Sequence, residues 1–384
     1  MRIVSWNIGW RCKKEKIAQM LKLKLEHYGC VACLQEVTPS VNAFIRSHLG
    51  DSYNYIYSLD SRYVGEFDTI SRKLGVLIIL SKTFKFLYSR TLNRTPFPDR
   101  TLLVSFAYMG VEYRVVNIHS VTGRNYSKAK SVQFYSLAEA IKNYQPDFVA
   151  LDANEPYEDH FNETDRVYFD NKDKGEGAKT FFNTLKNADL QDAYATLFNK
   201  ELFTKGEPLA VSHIVNNKER KRYDFIYIKR NLKITSCEYL YKESIEASAS
   251  HAMVIAECIG DMQHRDKNPN IDFDALPFEG NISTKELLSY CLYYKGGEIN
   301  DASIIEFYEQ MWVNFSQHNR MYIAEIVQDY IFAGLELFNC NDGIPISLKA
   351  LLYNRYMHWN GGNGWQNDNN GFKEFYLENY KSKI

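Results

Sequence analysis

Short apolar runs of strand length alternate with helical patterns and polar loops over the first 260 residues, and several of these runs are closely spaced. The runs that begin at Val76, Leu102 and Tyr113 are an example. Closely spaced strands form hairpins, because a parallel connection needs a longer crossover that is usually helical. The pattern therefore predicts an α/β chain with mixed or antiparallel sheets, and an all-parallel sheet fits it poorly. The predicted strands span residues 2–7, 30–35, 76–81, 102–108, 113–119, 148–152, 223–228 and 252–258, and the predicted helices span residues 13–27 and 128–144.

The charge balance limits the kinds of partner that the chain attracts as a whole. Among 384 residues, 46 Lys and Arg stand against 47 Asp and Glu, so the formal net charge is −1. This balance provides no general attraction to nucleic acid or to an acidic membrane, and any phosphate group must be bound by local residues. The aromatic content of 15% is more typical of packed side chains than of a base-stacking platform.

The seven cysteines are odd in number and scattered, which is typical of free thiols in a reducing compartment. Cys30 and Cys33 form one CxxC pair inside an apolar run. In a strand, positions three apart point to opposite faces, so we expect two core cysteines there and no metal site. The N-terminus lacks the apolar segment of a secretory signal, and no stretch approaches the ~20 apolar residues of a membrane span. We expect a soluble, cytoplasmic protein.

The composition changes near Gly260, where a polar stretch without strand or helix periodicity begins. We expect a linker over residues 261–281 and a small all-helical accessory domain over residues 282–384. Within that domain, Ser303 and Glu306 have the spacing of a capping box and precede an apolar stripe of helical period. The chain is therefore predicted to contain an α/β domain of about 260 residues, a linker and a helical domain.

Seven polar side chains stand at the ends of the predicted strands. They are Asn7, Glu36, His119, Asp152, Asn154, Asp224 and His251. If these ends meet at one rim of a sheet, the rim offers oxygen ligands suited to Mg²⁺ or Mn²⁺ and imidazoles suited to stabilising phosphate charge. Zinc is less suitable, because the sequence has no His/Cys cluster at the spacing of zinc ligands.

The motifs that contain these residues resemble those of the endonuclease/exonuclease/phosphatase superfamily, in the same order along the chain. The motifs are Trp6-Asn7, Gln35-Glu36, residues 75–81, Asn117-Ile118-His119, Asp152-Ala153-Asn154, residues 223–226 and Ser250-His251. The superfamily includes DNase I-like nucleases, abasic-site endonucleases, sphingomyelinases and inositol polyphosphate phosphatases. The resemblance covers residues 1–260 and none of the tail, residues 261–384. It implies a two-sheet, four-layer α/β sandwich of DNase I-like type that hydrolyses a phosphoester with a divalent metal.

The resemblance also implies a role for each matching residue. The implied metal ligands are Glu36 as the principal carboxylate, Asn7 and Asp152. The implied catalytic residues are His251, Asp224, Asp152, Asn154 and His119. In this scheme Asp152 and Asn154 prepare the attacking water and bind the phosphoryl group, while Asp224 holds the tautomer of His251. His119 resembles a second histidine found in the DNase I, sphingomyelinase and inositol phosphatase branches.

One position departs from the family pattern. The family has Ser-Asp-His where this chain has Ala249-Ser250-His251. That Asp often serves the metal, and a neutral hydroxyl is a much poorer ligand for a hard cation. The departure implies a lower metal affinity.

Two arginines are candidates for binding the phosphates of a substrate. Arg100 and Arg124 are expected near the same rim, Arg124 because it lies in the loop that follows His119. The charged run at residues 218–222 is typical of a solvated turn. His213 is expected to be an ordinary histidine in a loop.

The predicted function is that of a phosphoesterase dependent on Mg²⁺ or Mn²⁺, and specifically a nuclease that hydrolyses DNA or RNA by in-line attack of water. One alternative is a phosphatase or phosphodiesterase acting on a nucleotide or another small phosphate ester. Another is a catalytically weakened binding module that acts through its helical tail. Nucleic acid is the expected substrate, the tail is expected to bind a protein partner or a second copy, and no membrane contact is expected.

Overall fold

The structure is a computed structural model that describes residues 1–26, 29–61, 74–92, 95, 97–122, 127–169 and 177–260. The predicted linker at 261–281, the predicted helical domain at 282–384 and Arg124 lie outside the described residues.

The strands are β1 (Arg2–Asn7), β2 (Cys30–Val37), β3 (Tyr53–Tyr57), β4 (Gly75–Ser81), β5 (Lys85–Arg90), β6 (Thr101–Tyr108), β7 (Val111–His119), β8 (Phe148–Asp152), β9 (Leu190–Asp192), β10 (His213–Val215), β11 (Glu219–Lys221), β12 (Asp224–Lys229), β13 (Leu232–Leu240) and β14 (Met253–Gly260). The helices are α1 (Lys14–Leu25), α2 (Pro39–Leu49), α3 (Ser58–Ser61), α4 (Ser127–Tyr144), α5 (Gly177–Asn187), α6 (Ala193–Leu197) and α7 (Tyr241–Glu246).

The strands form two six-stranded sheets and a separate two-stranded ribbon. The first sheet has the order β13-β14-β1-β2-β4-β3, the second has the order β5-β6-β7-β8-β12-β9, and β10 pairs with β11. Only the pairs β1–β2 and β7–β8 are parallel among the described strands. Met109 and Gly110 connect β6 to β7, both with positive φ, which matches the twist of a tight hairpin. The prediction of mixed sheets with hairpins is confirmed.

The two sheets pack face to face, and helices cover both outer faces. Between the sheets lies an apolar cluster that includes Ile3, Val31, Ile78, Val104 and Ile226. The outer face of the first sheet packs against α1 and α2, and the outer face of the second packs against α4 and α5. Burying both faces of each sheet in this way produces four layers, helix, sheet, sheet and helix, as predicted for the first 260 residues.

The eight predicted strands are the eight interior strands of the two sheets. An interior strand covered on both faces is a continuous apolar run, as in β2, where Cys33 faces the other sheet and Cys30 faces the helices. Both cysteines are buried and free, as the sequence predicts. The prediction missed β3, β5, β9 and β13, which are the edge strands, and the ribbon strands β10 and β11. Among the described helices, none is long and apolar enough to cross a bilayer.

Candidate active site

Seven polar side chains meet at one rim of the sandwich. The strands β1, β2, β7 and β8 reach this rim with their carboxyl ends, and the antiparallel strands β12 and β14 begin there. The side chains are those of Asn7, Glu36, His119, Asp152, Asn154, Asp224 and His251. The topology therefore brings together all seven residues that the sequence places at strand ends.

Asn7 lies between two carboxylates that come from different sheets. Its Nδ2 atom donates to Asp152 Oδ2 at 2.7 Å and lies 3.4 Å from Glu36 Oε1. Its Oδ1 atom accepts the backbone N–H of Gly9 at 3.0 Å, which fixes the orientation of the amide. The carboxylates of Glu36 and Asp152 thus converge on a single point at the rim.

The backbone of β2 turns Glu36 toward this point. Glu36 has a φ of 57°, and the pairing of β2 with β4 shifts register between Leu34 and Val37. A bulge of this kind redirects a side chain at the end of a strand. The second carboxylate oxygen, Oε2, accepts the backbone N–H of Trp10 at 3.1 Å. The bulge and this hydrogen bond hold the Glu36 carboxylate at the rim.

A buried hydrogen-bond network joins the two sheets in the interior. Gln35 Nε2 donates to Asn117 Oδ1 at 2.8 Å, and Asn117 Nδ2 donates to the carbonyl oxygens of Leu34 and Leu77. Both amide side chains are fully buried. Buried polar groups keep their partners because an unpaired one carries a desolvation cost. This network fixes the position of Glu36, which follows Gln35, relative to the second sheet.

His251 and Asp224 form a buried pair across the two sheets. His251 Nδ1 lies 2.8 Å from Asp224 Oδ2 and 3.9 Å from Asp152 Oδ2. Burial opposes the charged form of the imidazole, but the carboxylates of Asp224 and Asp152 outweigh it and raise the pKa of His251 to about 9. His251 is therefore protonated at neutral pH. Because Nδ1 is committed to Asp224, Nε2 is the nitrogen that can serve a substrate.

His119 lies opposite, on the Glu36 side of the rim. Its Nε2 atom is 3.5 Å from Glu36 Oε1 and 3.8 Å from Asp152 Oδ2. Arg100 Nη1 lies 3.2 Å from Nδ1 and 3.3 Å from Nε2 of the ring. Burial and the charges of Arg100 and His251 hold the pKa of His119 well below its usual range. The site thus pairs a neutral imidazole with a protonated one, and it includes Arg100 as predicted.

Asn154 is held in position by a tight turn after β8. Its φ is 49°, its Nδ2 donates to Ser120 O at 3.1 Å, and its backbone N–H donates to Asp152 Oδ1 at 3.1 Å. Behind it, Lys130 Nζ donates to Asn154 O at 2.6 Å and forms an ion pair with Glu155 at 2.8 Å. Lys130 and Glu155 are both buried, and no sequence motif predicts this pair. Burial raises the pKa of Asp152, although the charge of His251 opposes this effect.

The donor chemistry of the rim fits a divalent cation. Glu36 and Asp152 supply carboxylate oxygens that converge on the Asn7 amide, and hard oxygen donors suit Mg²⁺ or Mn²⁺. Ser250 Oγ lies 3.4 Å from Asn7 Oδ1, so the residue that departs from the family pattern is next to this cluster. Gly9 has a φ of 74°, and a Cβ atom there would lie 2.8 Å from Ser250 Oγ. The chain therefore needs glycine at this close approach.

The sequence reasoning missed the role of the ribbon beside the site. His213 was expected in a loop, but it begins β10 and its ring stacks on His251 with centroids 4.3 Å apart. The interpretation of residues 218–222 as a solvated turn was wrong for Arg222, which is fully buried between Asp159 and Asp192. A cross-strand pattern in two strands of three residues is too short to be recognised from one sequence.

Several solved structures are similar to the structure of this chain. No protein-family model and no curated protein sequence matches the chain significantly. Among solved structures, an endonuclease/exonuclease/phosphatase from Bacteroides vulgatus is 17% identical with a TM-score of 0.48, over 68% of this chain and 98% of that one. TDP2 from D. rerio, solved with a single-strand DNA product, is 16% identical with a TM-score of 0.46, over 67% and 97%. The human Nocturnin catalytic domain, solved with a sulfate anion, is 16% identical with a TM-score of 0.47, over 67% and 94%.

Proposed function

We propose that the α/β domain is a phosphodiesterase dependent on a divalent metal, and that it acts as a nuclease on DNA or RNA. The observation that carries the proposal is the convergence of Glu36 and Asp152 on Asn7, with a protonated His251 and a neutral His119 beside them. Carboxylates that hold a cation and imidazoles that face the same point are what hydrolysis of a phosphoester requires. The order of the sequence motifs supports the same assignment.

Glu36 and Asp152 would hold the metal through their carboxylate oxygens, and Asn7 would complete the site through Oδ1, the one atom of its amide that can bind a cation. Mg²⁺ or Mn²⁺ bound there would neutralise charge on the phosphoryl oxygens and lower the pKa of water. The preference for these ions rests on the oxygen donors, since softer ligands would select other metals. Ser250 contributes a hydroxyl where the family has a carboxylate, so we propose a weaker site than the family pattern implies.

The side chains of the rim have separate roles in the reaction. Asp152, whose pKa is raised by burial, accepts a proton from the attacking water, and Asn154 orients that water against the phosphoryl group. His251 presents Nε2–H to a phosphoryl oxygen, and Asp224 keeps the ring oriented and charged. Arg100, beside the neutral His119, binds a second phosphoryl oxygen. As water attacks in line, the P–O bond to the leaving oxygen breaks, that oxygen takes a proton from solvent, and Asp152 later releases its proton to solvent. His251 and Arg100 stabilise the developing charge from two sides.

The tail has no role in the chemistry under this proposal. We propose that residues 282–384 form a helical domain that binds a protein partner or a second copy, with residues 261–281 as its linker. All seven rim residues belong to the described α/β domain. Substrate choice is the property that we expect the tail to modulate.

The proposal is tested by assaying the full chain with Mg²⁺ or Mn²⁺ on single- and double-stranded DNA, RNA and a small phosphodiester. Glu36→Gln and Asp152→Asn should each lower turnover at least about a hundredfold, because both remove charge that the transition state needs. Glu238→Gln is the matched control, since Glu238 is exposed on β13.

Full turnover after exhaustive chelation would contradict the proposal. If the chain hydrolyses only nucleotides or small esters, it is a phosphatase or a small-ester phosphodiesterase and not a nuclease. If the chain binds nucleic acid tightly but hydrolyses no substrate, it is a binding module and not an enzyme.

A further inference from the structure

A continuous series of aromatic rings leads from His251 to the protein surface. His213 stacks on His251 at 4.3 Å, and Tyr223 stacks on His213 at 6.1 Å. Phe169 lies 6.4 Å from Tyr223, and Tyr157 lies 5.2 Å from Phe169. Tyr223 is buried, whereas Phe169 is 40% exposed and Tyr157 is 43% exposed. The series therefore ends in an aromatic pair that is partly exposed to solvent.

The ribbon explains why these groups share one side. In the antiparallel pairing of β10 and β11, His213 stands directly opposite Lys221, so their side chains point to the same face. Tyr223 lies two residues after Lys221 and continues that face, because side chains alternate along an extended chain. One end of this face contacts His251, and the other contacts the exposed aromatic pair.

Lys221 places a positive charge over the aromatic pair. Its Nζ atom lies 4.6 Å from the centroid of Tyr157 and 5.9 Å from that of Phe169, and it donates to the carbonyl oxygen of Tyr157 at 2.8 Å. An ammonium group over a ring is attracted to the negative face of the ring. Glu219 Oε2 lies 3.8 Å from the same Nζ atom, so Lys221 also has a carboxylate partner.

We propose that Tyr157, Phe169 and Lys221, here called the stacking subsite, bind an unpaired base that lies beyond the scissile phosphate in a single-stranded nucleic acid. This inference rests on the proposed phosphodiesterase function of the rim. Aromatic rings stack on any base, and a neighbouring lysine binds the phosphate of the same strand. The substrate is thus a strand, DNA or RNA, whose bases are not paired.

Two other classes of phosphoester, duplex nucleic acid and small phosphate esters, fit the stacking subsite less well. A base within a duplex has its π-faces covered by its neighbours, so stacking on a protein ring requires unpaired or extruded bases. A small phosphate ester is served by the rim alone, because three ring-to-ring steps separate Phe169 from His251. The partly exposed aromatic pair matches a ligand that extends beyond the reacting phosphate.

The test compares two single-stranded probes of equal length and charge. One is a fluorescent oligothymidine, with an oligouridine arm for RNA, and the other is an abasic sugar–phosphate oligomer. Tyr157→Leu and Phe169→Leu remove a ring but keep an apolar side chain of useful size. Phe86→Leu is the matched control, because Phe86 is also 40% exposed but lies on β5 toward the end of the second sheet opposite the rim.

We expect Tyr157→Leu and Phe169→Leu each to raise KM for the base-bearing probe about tenfold. The same variants should leave cleavage of the abasic probe unchanged, and Phe86→Leu should affect neither probe. A preference of the oligouridine over the oligothymidine, or the reverse, identifies which strand the subsite serves. Equal losses on base-bearing and abasic probes, or no loss on either, would overturn the inference.

Two further outcomes separate this inference from the proposed function. If the wild-type chain hydrolyses a small phosphodiester but none of the oligomers, the phosphodiesterase stands and the stacking subsite is wrong. If it hydrolyses nothing, the proposed function fails, and fluorescence anisotropy of the same probes decides the subsite. A preference for base-bearing probes that Tyr157→Leu abolishes would support the subsite, and equal affinity for both probes would refute it.

Discussion

Asn7 at the end of β1 donates a 2.7 Å hydrogen bond to Asp152 at the end of β8, so this amide and this carboxylate join the two sheets at the rim. Both side chains are buried. The relative position of the sheets therefore determines the position of the candidate metal ligands. A change that separates the sheets at this end should disturb the site before it disturbs the core.

Replacing Asn7 tests this relationship. Asn7→Ala removes the side chain that donates to the buried Oδ2 atom of Asp152, and we expect a loss of about 1–3 kcal/mol in the free energy of unfolding together with a clear loss of turnover. Urea denaturation and a cleavage assay measure the two effects. Asn42→Ala is the control, because Asn42 is a buried asparagine that binds Arg46 away from the rim. Equal turnover in both variants would contradict the assignment of Asn7.

Asp224→Asn should lower turnover strongly, because it removes the carboxylate that contributes most to keeping His251 protonated. In the wild type, activity should persist until the pH approaches about 9 and then fall, and the variant should lose activity at lower pH. His251→Ala and Asp224→Asn should be non-additive, since both act through one imidazole. Independent, multiplicative losses in the double variant would separate the two residues.

The same pair predicts how stability depends on pH. The pKa of His251 is raised from 6.5 to about 9 on folding, so its contribution to stability is complete below pH 6.5 and is lost as the pH rises through about 9. The wild type should therefore be less stable at pH 10 than at pH 6, and His251→Gln should reduce this difference. Denaturant midpoints at the two pH values provide the measurement.

Ser250→Asp should tighten the apparent affinity for Mn²⁺, because a carboxylate next to Asn7 Oδ1 is a better ligand for a hard cation than a hydroxyl. Ser250→Asn has a similar size without the charge and is the matched control. Titration calorimetry with Mn²⁺ compares the three proteins. Unchanged or weaker binding in Ser250→Asp would mean that the site is built around another group.

Lys130→Met should destabilise the chain by about 3–5 kcal/mol, because it leaves Glu155 buried without its cation. The double variant with Glu155→Leu should recover part of this loss. Lys142→Met, at an exposed position of the same helix, should have little effect on the unfolding midpoint. Since Lys130 also binds Asn154 O, turnover should remain low in the double variant even where stability returns.

Asp192→Asn should destabilise the chain at neutral pH and much less in acid. Burial opposes its ionisation, but Arg222 and Arg166 lower the pKa of Asp192 to about 2, from an ordinary value of 3.8. Its contribution to stability is therefore present above pH 3.8 and lost as the pH falls through about 2. Asp189→Asn, which replaces an exposed carboxylate beside Arg230, is the matched control in the same unfolding measurements.

The interior of the fold could be predicted from the sequence, and its edges could not. All eight strands that the sequence predicts are interior strands, because burial on both faces requires a continuous apolar run. Edge strands such as β5 have exposed positions and lack that signal. The three-residue strands β10 and β11 are too short for any period to appear.

For the candidate site, too, part could be predicted from the sequence and part could not. The sequence by itself determined which seven polar residues stand at the ends of the interior strands, because a run that leaves the core must end in polar groups there. Only the tertiary structure decided that these ends meet at one rim, together with the contacts of Asn7 with Asp152, His213 with His251 and Lys130 with Asn154. These contacts join residues that are distant in the chain. Their geometry depends on how two sheets pack, which no local pattern of residues encodes.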